Sequence, residues 1–430
     1  MTPQRTIPPT AAPLPIESLL CAIGSLWGGK KHRARLISEF KSHYAVRAVF
    51  PVSSGKAALT VILKALSAAS NRRRVIIPAY TCFSVPSAIV KAGLEVVLCD
   101  VDPNTLDFKF SELEELLDEH ALCVVSTHLF GRPADTARVK QLCEGKGIFV
   151  VEDAAQAMGG RVGNRLLGTI GDVGFYSLGR GKNLTCGSGG IILTEAIPIA
   201  DAIEVEYARL SEAPWLDVLR NWLELVVMRI FIHPALYWFP SGLPFLGLGE
   251  TRFYTDFQMF RMDAVRARLL HGWQQRLARA NQERSACARW LIEGLDFARK
   301  GIKPILGTGA LFLRLPVLLR GREAKAAVCR LSREQGAGLS PNYPATIQDI
   351  PELAGQLAGR RYPGAQEVVD RLVTVPTHRF VSEQDRLKID RVLATQGEVP
   401  TPDNTVGGDS SSSGTGHRHV LIGNNRNGVL

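Results

Sequence analysis

Three stretches of this 430-residue chain place reactive side chains where apolar runs end. The run DVGFYSL gives way to Gly179-Arg180-Gly181-Lys182-Asn183-Leu184, so Lys182 sits in a glycine-flanked loop with no helix to carry it to the surface. Most lysines are solvated surface groups. One held between two buried strands is partly desolvated, which lowers its pKa and makes its amine a nucleophile. The run IFVVED ends in Glu152-Asp153, followed shortly by Gln156. A carboxylate in that position needs a cation or a hydrogen-bond donor beside it; a protonated pyridine nitrogen is one such cation, and a helix N-cap is the plainer alternative. The run AVFPVS ends in Ser53-Ser54-Gly55-Lys56 and enters a helix. Glycine lets an anion approach the backbone, and the helix N-terminus offers free N–H groups and positive dipole, although a Ser-Gly turn also serves as a simple cap. Together these parts suggest pyridoxal phosphate held at four points. Lys182 forms the imine, Asp153 pairs with the pyridinium, and Ser54-Gly55 and Ser177 hold the phosphate.

Other devices are missing. No G-x-G-x-x-G follows a strand, no Gly-Lys pair is followed by Ser or Thr, and no H-E-x-x-H occurs. None of the eight cysteines are spaced C-x-x-C, and several lie in apolar runs, as reduced thiols do. No metal site is implied.

The elements that position these residues are legible as seven short apolar runs between Val46 and Glu195: AVFPVS, RVIIPAY, EVVLCDV, CVVSTHL, IFVVED, DVGFYSL and GGIILTE. The first three intervals read as crossover helices (GKAALTVILKALSAA, VPSAIVKAG, FSELEELLDEH). Unbroken β-branched runs separated by amphipathic helices predict an α/β fold with a mostly parallel seven-stranded sheet covered on both faces. Ligands bind such sheets at the carboxyl ends of the strands. Residues 1–15 are proline-rich and 398–430 are rich in Gly, Ser and Asn, so both are expected to be disordered. A large domain is expected over 16–255, and a smaller C-terminal α+β domain over 256–397, with LFLRLPVLL as a strand and AKAAVCRLSREQG as a helix.

Within the large domain, residues 208–250 form an apolar insertion. WLDVLRNWLELVVMRIFI reads as an amphipathic helix, with Asp217, Arg220 and Glu224 on one face and Trp215, Leu219, Trp222, Leu223 and Val226 elsewhere. Three prolines then interrupt the stretch, so it suits a subunit contact or an interfacial membrane element rather than a span. Lys+Arg 51 against Asp+Glu 41 gives +10, which favours an anionic partner. No nucleic-acid recognition motif accompanies the charge, and nucleic acid is not an expected partner. The N-terminus has prolines where a signal peptide has its apolar core, which points to a cytoplasmic protein, with contact at the inner face of the membrane left open for the insertion.

The segments SSGKAAL, IPAYT, VVLCDVDPNTLD, THLFGRPAD, VVEDAAQAMGG, LGTIGDVGFYSLGRGKNLTCGSGG and VTVPTHRFVSEQD occur in order from about Pro51 to Leu393. In them the chain resembles the sugar-nucleotide aminotransferases of the DegT/DnrJ/StrS group. That resemblance implies a fold-type I pyridoxal-phosphate enzyme, usually a homodimer, which moves an amino group from an amino acid such as glutamate onto a nucleotide-linked keto-sugar for polysaccharide or glycan synthesis. It implies Lys182 as the Schiff-base lysine, Asp153 at the pyridine nitrogen, Gln156 near the ring hydroxyl, and Ser54, Gly55 and Ser177 on the phosphate, with the backbone N–H of Lys56 able to join them. Dehydratase relatives carry His where Lys182 stands, so transamination is favoured. Three positions depart from the group: Cys82 replaces the aromatic that covers the ring, Ser188 stands in the Gly-Glu-Gly-Gly pattern, and Met259 stands where Asn reaches the partner's phosphate. Tyr80 or Phe83 is the expected substitute for the missing aromatic. These departures and the insertion motivate the alternative of a membrane-docked, catalytically weakened scaffold in a polysaccharide assembly system.

Overall fold

A computed structural model gives the structure of residues 4–12, 14–25, 29–243, 251–357 and 359–397. All seven apolar runs become strands: β1 (Ala48–Val52), β2 (Arg74–Pro78), β3 (Glu95–Cys99), β4 (Ala121–Thr127), β5 (Phe149–Asp153), and, after the two-residue hairpin strands β6 (Arg161–Val162) and β7 (Arg165–Leu166), β8 (Val173–Ser177) and β9 (Gly190–Thr194). They lie in the order β1-β9-β8-β5-β4-β2-β3. β8, β5, β4, β2 and β3 are mutually parallel, and β9 runs antiparallel to both β1 and β8. Two-residue strands β10 (Ser211–Glu212) and β11 (Phe260–Arg261) extend the β1 edge; they are too short to leave a periodic signal in sequence.

Both faces of the sheet are covered. Val173 and Phe175 enter the core formed with helix α3 (Gly55–Ala68), whereas Tyr176 enters the opposite core with Phe40, Tyr44 and Trp273. This alternation across a sheet buried on both sides is why its strands read as unbroken apolar runs. A separate three-stranded sheet, β12 (Lys303–Pro304), β13 (Arg314–Leu318) and β14 (Leu372–Pro376), is antiparallel throughout. Helix α11 (Trp273–Gly294) serves both cores: Trp273 and Leu277 pack with the main sheet, and Leu291 packs with Leu315 and Val373 of the small sheet.

The expected disorder of residues 1–15 is overturned for the part described. Ile7 is 1% exposed and its N–H donates to the Gly336 carbonyl, while Arg5 pairs with Asp385 at 2.6 Å. Prolines suit this extended segment, and a few apolar anchors together with side-chain bonds to its carbonyls suffice to order it. The expected disordered tail, 398–430, lies outside the described residues.

Within the insertion, helix α8 (Trp215–Phe231) forms as the pattern predicts, but its buried stripe is Val218, Asn221 and Leu225. Trp215 and Leu223, expected on the apolar side, are instead 68% and 49% exposed, beside Leu216, Val227 and Ile230. The polar Asn221 wins the inner face because its Nδ2 donates to the Cys186 carbonyl at 3.1 Å. No helix among the described residues is long and apolar enough to cross a membrane.

Candidate active site

The carboxyl ends of β4, β5 and β8, with the loops that follow β1 and β8, line a cavity of about 170 Å³. Thr127 and Asp153 are cross-strand neighbours, and Asp153 lies opposite Phe175 on the other side. Antiparallel β9 closes the arrangement: Gly190 is the register partner of both Val52 and Ser177, so the turn after β1 and the end of β8 meet across it. A Cβ at Gly190 would lie 2.4 Å from the Ser54 carbonyl oxygen, so only glycine fits.

Of the expected site residues, Ser54, Gly55, Lys56, Asp153, Gln156, Ser177 and Lys182 all line this cavity. The Ser54 hydroxyl oxygen accepts from the Ala57 N–H and caps α3, leaving its proton free to donate. The capping and the anion-binding roles therefore coexist. A Cβ at Gly55 would stand 2.9 Å from the Ser177 Cβ; the helix N-terminus and the serine form a cup that a side chain would fill. Gly55→Ala is expected to weaken binding of pyridoxal phosphate by about tenfold, corresponding to ~1.4 kcal/mol, with the fold retained. A fluorescence titration checks this, and unaltered affinity would mean that the cup is not the phosphate site.

Burial pulls the Lys182 ammonium below the ordinary lysine range, against the opposing influence of Cys82 and Asp153 and with added repulsion from Arg314. Burial likewise raises the Asp153 carboxyl, opposed by the Ala155 N–H and the charge of Lys182. Asp153 is 6% exposed, and among the described residues its carboxylate accepts one hydrogen bond, from the N–H of Ala155, 2.9 Å from Oδ1. A second orphan is nearby: Thr127 Oγ1 is buried without a partner. A desolvated amine, an undersupplied buried carboxyl, a spare hydroxyl and a cup for an anion fit pyridoxal phosphate.

Gln156 is tied at both ends. Its Oε1 accepts from the Phe130 N–H at 3.1 Å, and its Nε2 donates to the Tyr343 hydroxyl at 2.8 Å. The Lys56 ammonium turns aside to the Tyr254 ring, 3.2 Å from its centroid. Tyr80 is a correction: it is fully buried, packs 5.4 Å from Tyr343 and is not among the lining residues. Phe83 is also taken up by the core. Cys82, Ser84 and Val85 form that wall instead, so no aromatic from this turn covers the cavity.

Arg314 was missed by sequence reasoning, because an arginine inside LFLRLPVLL reads as one solvated position on a strand. Its guanidinium is enclosed, with its pKa lowered by burial, and Tyr343, Tyr237, Tyr80 and Cys82 act on it electrostatically. Nη1 donates to Asn342 Oδ1 at 2.9 Å. Arg314 is not among the residues that line the cavity, but it is close enough to Lys182 to repel its charge, and an arginine beside the site suits a substrate carboxylate.

Glu152 faces away from the cavity. Its Oε1 accepts from His128 Nε2 at 2.8 Å and from the Gly168 N–H, and its Oε2 accepts from Ile170 and Gly171. The Ala134 N–H donates to His128 Nδ1, so the ring proton sits on Nε2. Burial would raise the Glu152 carboxyl, yet His128 and these N–H groups hold it below its usual range. Its contribution to stability is therefore complete above the unfolded pKa and is lost as pH falls through the lower folded value. His128→Ala is expected to cost about 3 kcal/mol or more at neutral pH by urea unfolding. An unchanged midpoint would show that the backbone donors suffice.

Residues 23–213 match the model of the DegT/DnrJ/EryC1/StrS aminotransferase family. The chain is 27% identical to GDP-perosamine synthase of Vibrio cholerae over 196 residues, 46% of this chain and 52% of that protein. It thus spans about half the length of that relative. It is 26% identical to L-glutamine:2-deoxy-scyllo-inosose aminotransferase of Micromonospora echinospora over 386 residues, 85% of this chain and 86% of that protein. Among solved structures, the Helicobacter pylori aminotransferase PseC superposes with a TM-score of 0.73 at 14% identity, covering 91% of this chain and 99% of its own. That likeness shows the fold: a large, mostly parallel central sheet flanked by helices.

Two of the positions that depart from the family pattern have visible roles. Ser188 Oγ donates to the Ser53 carbonyl at 2.7 Å and ties the loop after Lys182 to the turn after β1. Met259 packs against the main core as a partly buried side chain.

Proposed function

We propose that this chain is a pyridoxal-phosphate-dependent aminotransferase that moves an amino group from an amino acid, glutamate first among the candidates, onto a keto-sugar carried by a nucleoside diphosphate. The observation that carries this is the convergence of Lys182, Asp153 and the Gly55–Ser177 cup on one cavity. When bound, pyridoxal phosphate supplies an aldehyde that takes up amino groups and a pyridine ring that draws electrons from the substrate carbon. Ser54, Gly55 and Ser177 would hold the phosphate, and Thr127 and Gln156 line the same cavity and would offer polar groups to the ring. Asp153 keeps its negative charge at the ring nitrogen. Lys182, whose amine is neutral more readily than an exposed lysine's, would hold the aldehyde and would carry the proton to and from the substrate carbon. Arg314 receives the donor's carboxylate.

The protein acts in the cytoplasm, as its N-terminal prolines and its cysteines in apolar runs suggest, and works as a homodimer in glycan or polysaccharide synthesis, as the family resemblance implies. Purified chain, pyridoxal phosphate, glutamate and a nucleoside-diphosphate 4-keto-6-deoxysugar are expected to yield 2-oxoglutarate and an amino-sugar nucleotide in equal amounts, separable by anion exchange. Oxoacid without amino-sugar would restrict the enzyme to the donor half of the reaction.

Peripheral membrane contact is favoured by one observation: α8 turns Trp215, Leu216, Leu223, Val227 and Ile230 outward, with Arg220, ion-paired to Glu224, exposed among them. An aromatic and aliphatic face interleaved with arginine matches an anionic lipid surface. Flotation with phosphatidylglycerol vesicles is expected to carry the protein upward at low salt, and Leu223→Glu/Val227→Glu is expected to abolish this. Protein that stays at the bottom rules the contact out.

A further inference from the structure

Helix α8 belongs to the apolar insertion, yet its buried stripe of Val218, Asn221 and Leu225 has an amide at its centre. Packing alone selects an apolar side chain there, since a buried amide costs free energy unless it is hydrogen-bonded. Asn221, 5% exposed, meets that condition on the backbone of the loop that carries Lys182: its Nδ2 donates to the Cys186 carbonyl at 3.1 Å. The next residue, Gly187, has φ +88°, and a Cβ there would lie 2.5 Å from Asn221 Oδ1 and 3.0 Å from Leu225 Cγ. Loop backbone and helix are thus in direct contact, at a position where only glycine fits.

The same helix reaches the other end of the loop. Arg180 Nη2 donates to Glu224 Oε2, and Glu224 Oε1 accepts from Arg220 Nε at 3.1 Å. α8 therefore holds the loop at Arg180 and at Cys186–Gly187, on both sides of Lys182. The segment needs such support, because Gly179, Gly181, Gly187 and Gly189 give its backbone wide conformational freedom. The helix is itself anchored: Trp222 Nε1 donates at 3.0 Å to the Leu19 carbonyl of helix α1 (Ile16–Ile23). Arg284 of α11 takes the middle of the loop, donating to the carbonyls of Lys182 at 3.2 Å and Asn183 at 3.1 Å.

We propose that Asn221 and Glu224 are positioning residues for Lys182, so that the insertion serves the active site from its inner face. This rests on the reading of Lys182 as the reacting amine. A displacement of about 1 Å at a reacting group can cost on the order of 100-fold in rate. Loss of either tether lets the loop sample such displacements, while the strands that line the cavity stay in place.

The first measurement needs no cofactor: hydrogen–deuterium exchange of the full chain. In Asn221→Ala the amides of residues 182–187 are expected to exchange at least about tenfold faster than in the wild type, with β2 and β4 unchanged. Turnover is expected to fall about tenfold or more with the glutamate KM unaltered, a split that general loosening of the fold does not produce. Glu224→Gln keeps the shape and removes a half-exposed ion pair, so it folds as the wild type does; it is expected to lower turnover about threefold. If Asn221→Ala does not fold, Glu224→Gln decides alone. The proposal is overturned if loop exchange keeps its wild-type rate in every folded variant, or if turnover is unaltered where exchange rises. A wild-type chain without amino transfer would overturn the reading of Lys182 instead, and the exchange rates would still test the tethers.

Discussion

Replacement of Lys182 by alanine is expected to abolish amino transfer, lowering turnover by about 10⁴-fold or more. The amine is asked to do two things that no neighbour duplicates: hold the aldehyde carbon and move the proton. Alanine leaves the loop in place, because Arg284 binds the Lys182 backbone carbonyl rather than its side chain, and Gly187 and Ser188 anchor the far end. Lys182→Arg sharpens the point. It keeps a positive charge beside Asp153, yet a guanidinium does not give up its proton at neutral pH. Both variants should be equally inactive. Turnover above about a hundredth of wild type in either would remove Lys182 from the chemistry, since general acid–base contributions alone exceed that factor.

Asp153→Asn is expected to lower turnover by about 10²–10⁴-fold while leaving stability unchanged or raised. The amide keeps the shape and the oxygen that accepts from the Ala155 N–H, so what is removed is charge. Burial raises the Asp153 carboxyl. An acid whose folded pKa is raised costs stability once pH exceeds its unfolded value, so at pH 7 the cofactor-free protein gains or holds when that charge is removed. Melting temperature and turnover are thus expected to move independently. If both fell together, Asp153 would be a structural group and not the partner of a ring nitrogen.

The site was legible where chemistry sits at the end of a buried strand. Asp153, Ser177 and the Ser54-Gly55 turn each follow an unbroken apolar run, and parallel topology sends those ends to one edge. What joins Gly55 to Ser177 was not legible, because it depends on antiparallel β9 and on Gly190 pairing with both sides. Tyr80 illustrates a different limit. It follows β2 closely, but in which direction its ring points is decided by the turn that buries it against Tyr343, not by strand alternation. Arg314 was hidden by its surroundings, since a single charge in an apolar strand ordinarily faces water. The N-terminal segment misled for a physical reason: its composition resembles a disordered one, while its order depends on Arg5 reaching Asp385, far away in sequence.

The most direct measurement is the visible absorption spectrum of purified protein incubated with pyridoxal phosphate, before and after glutamate. The predicted result is a band from lysine-bound cofactor that disappears on adding glutamate and never forms in Lys182→Ala. The contradicting result is no such band in the wild type at any cofactor excess, or an identical band in the alanine variant.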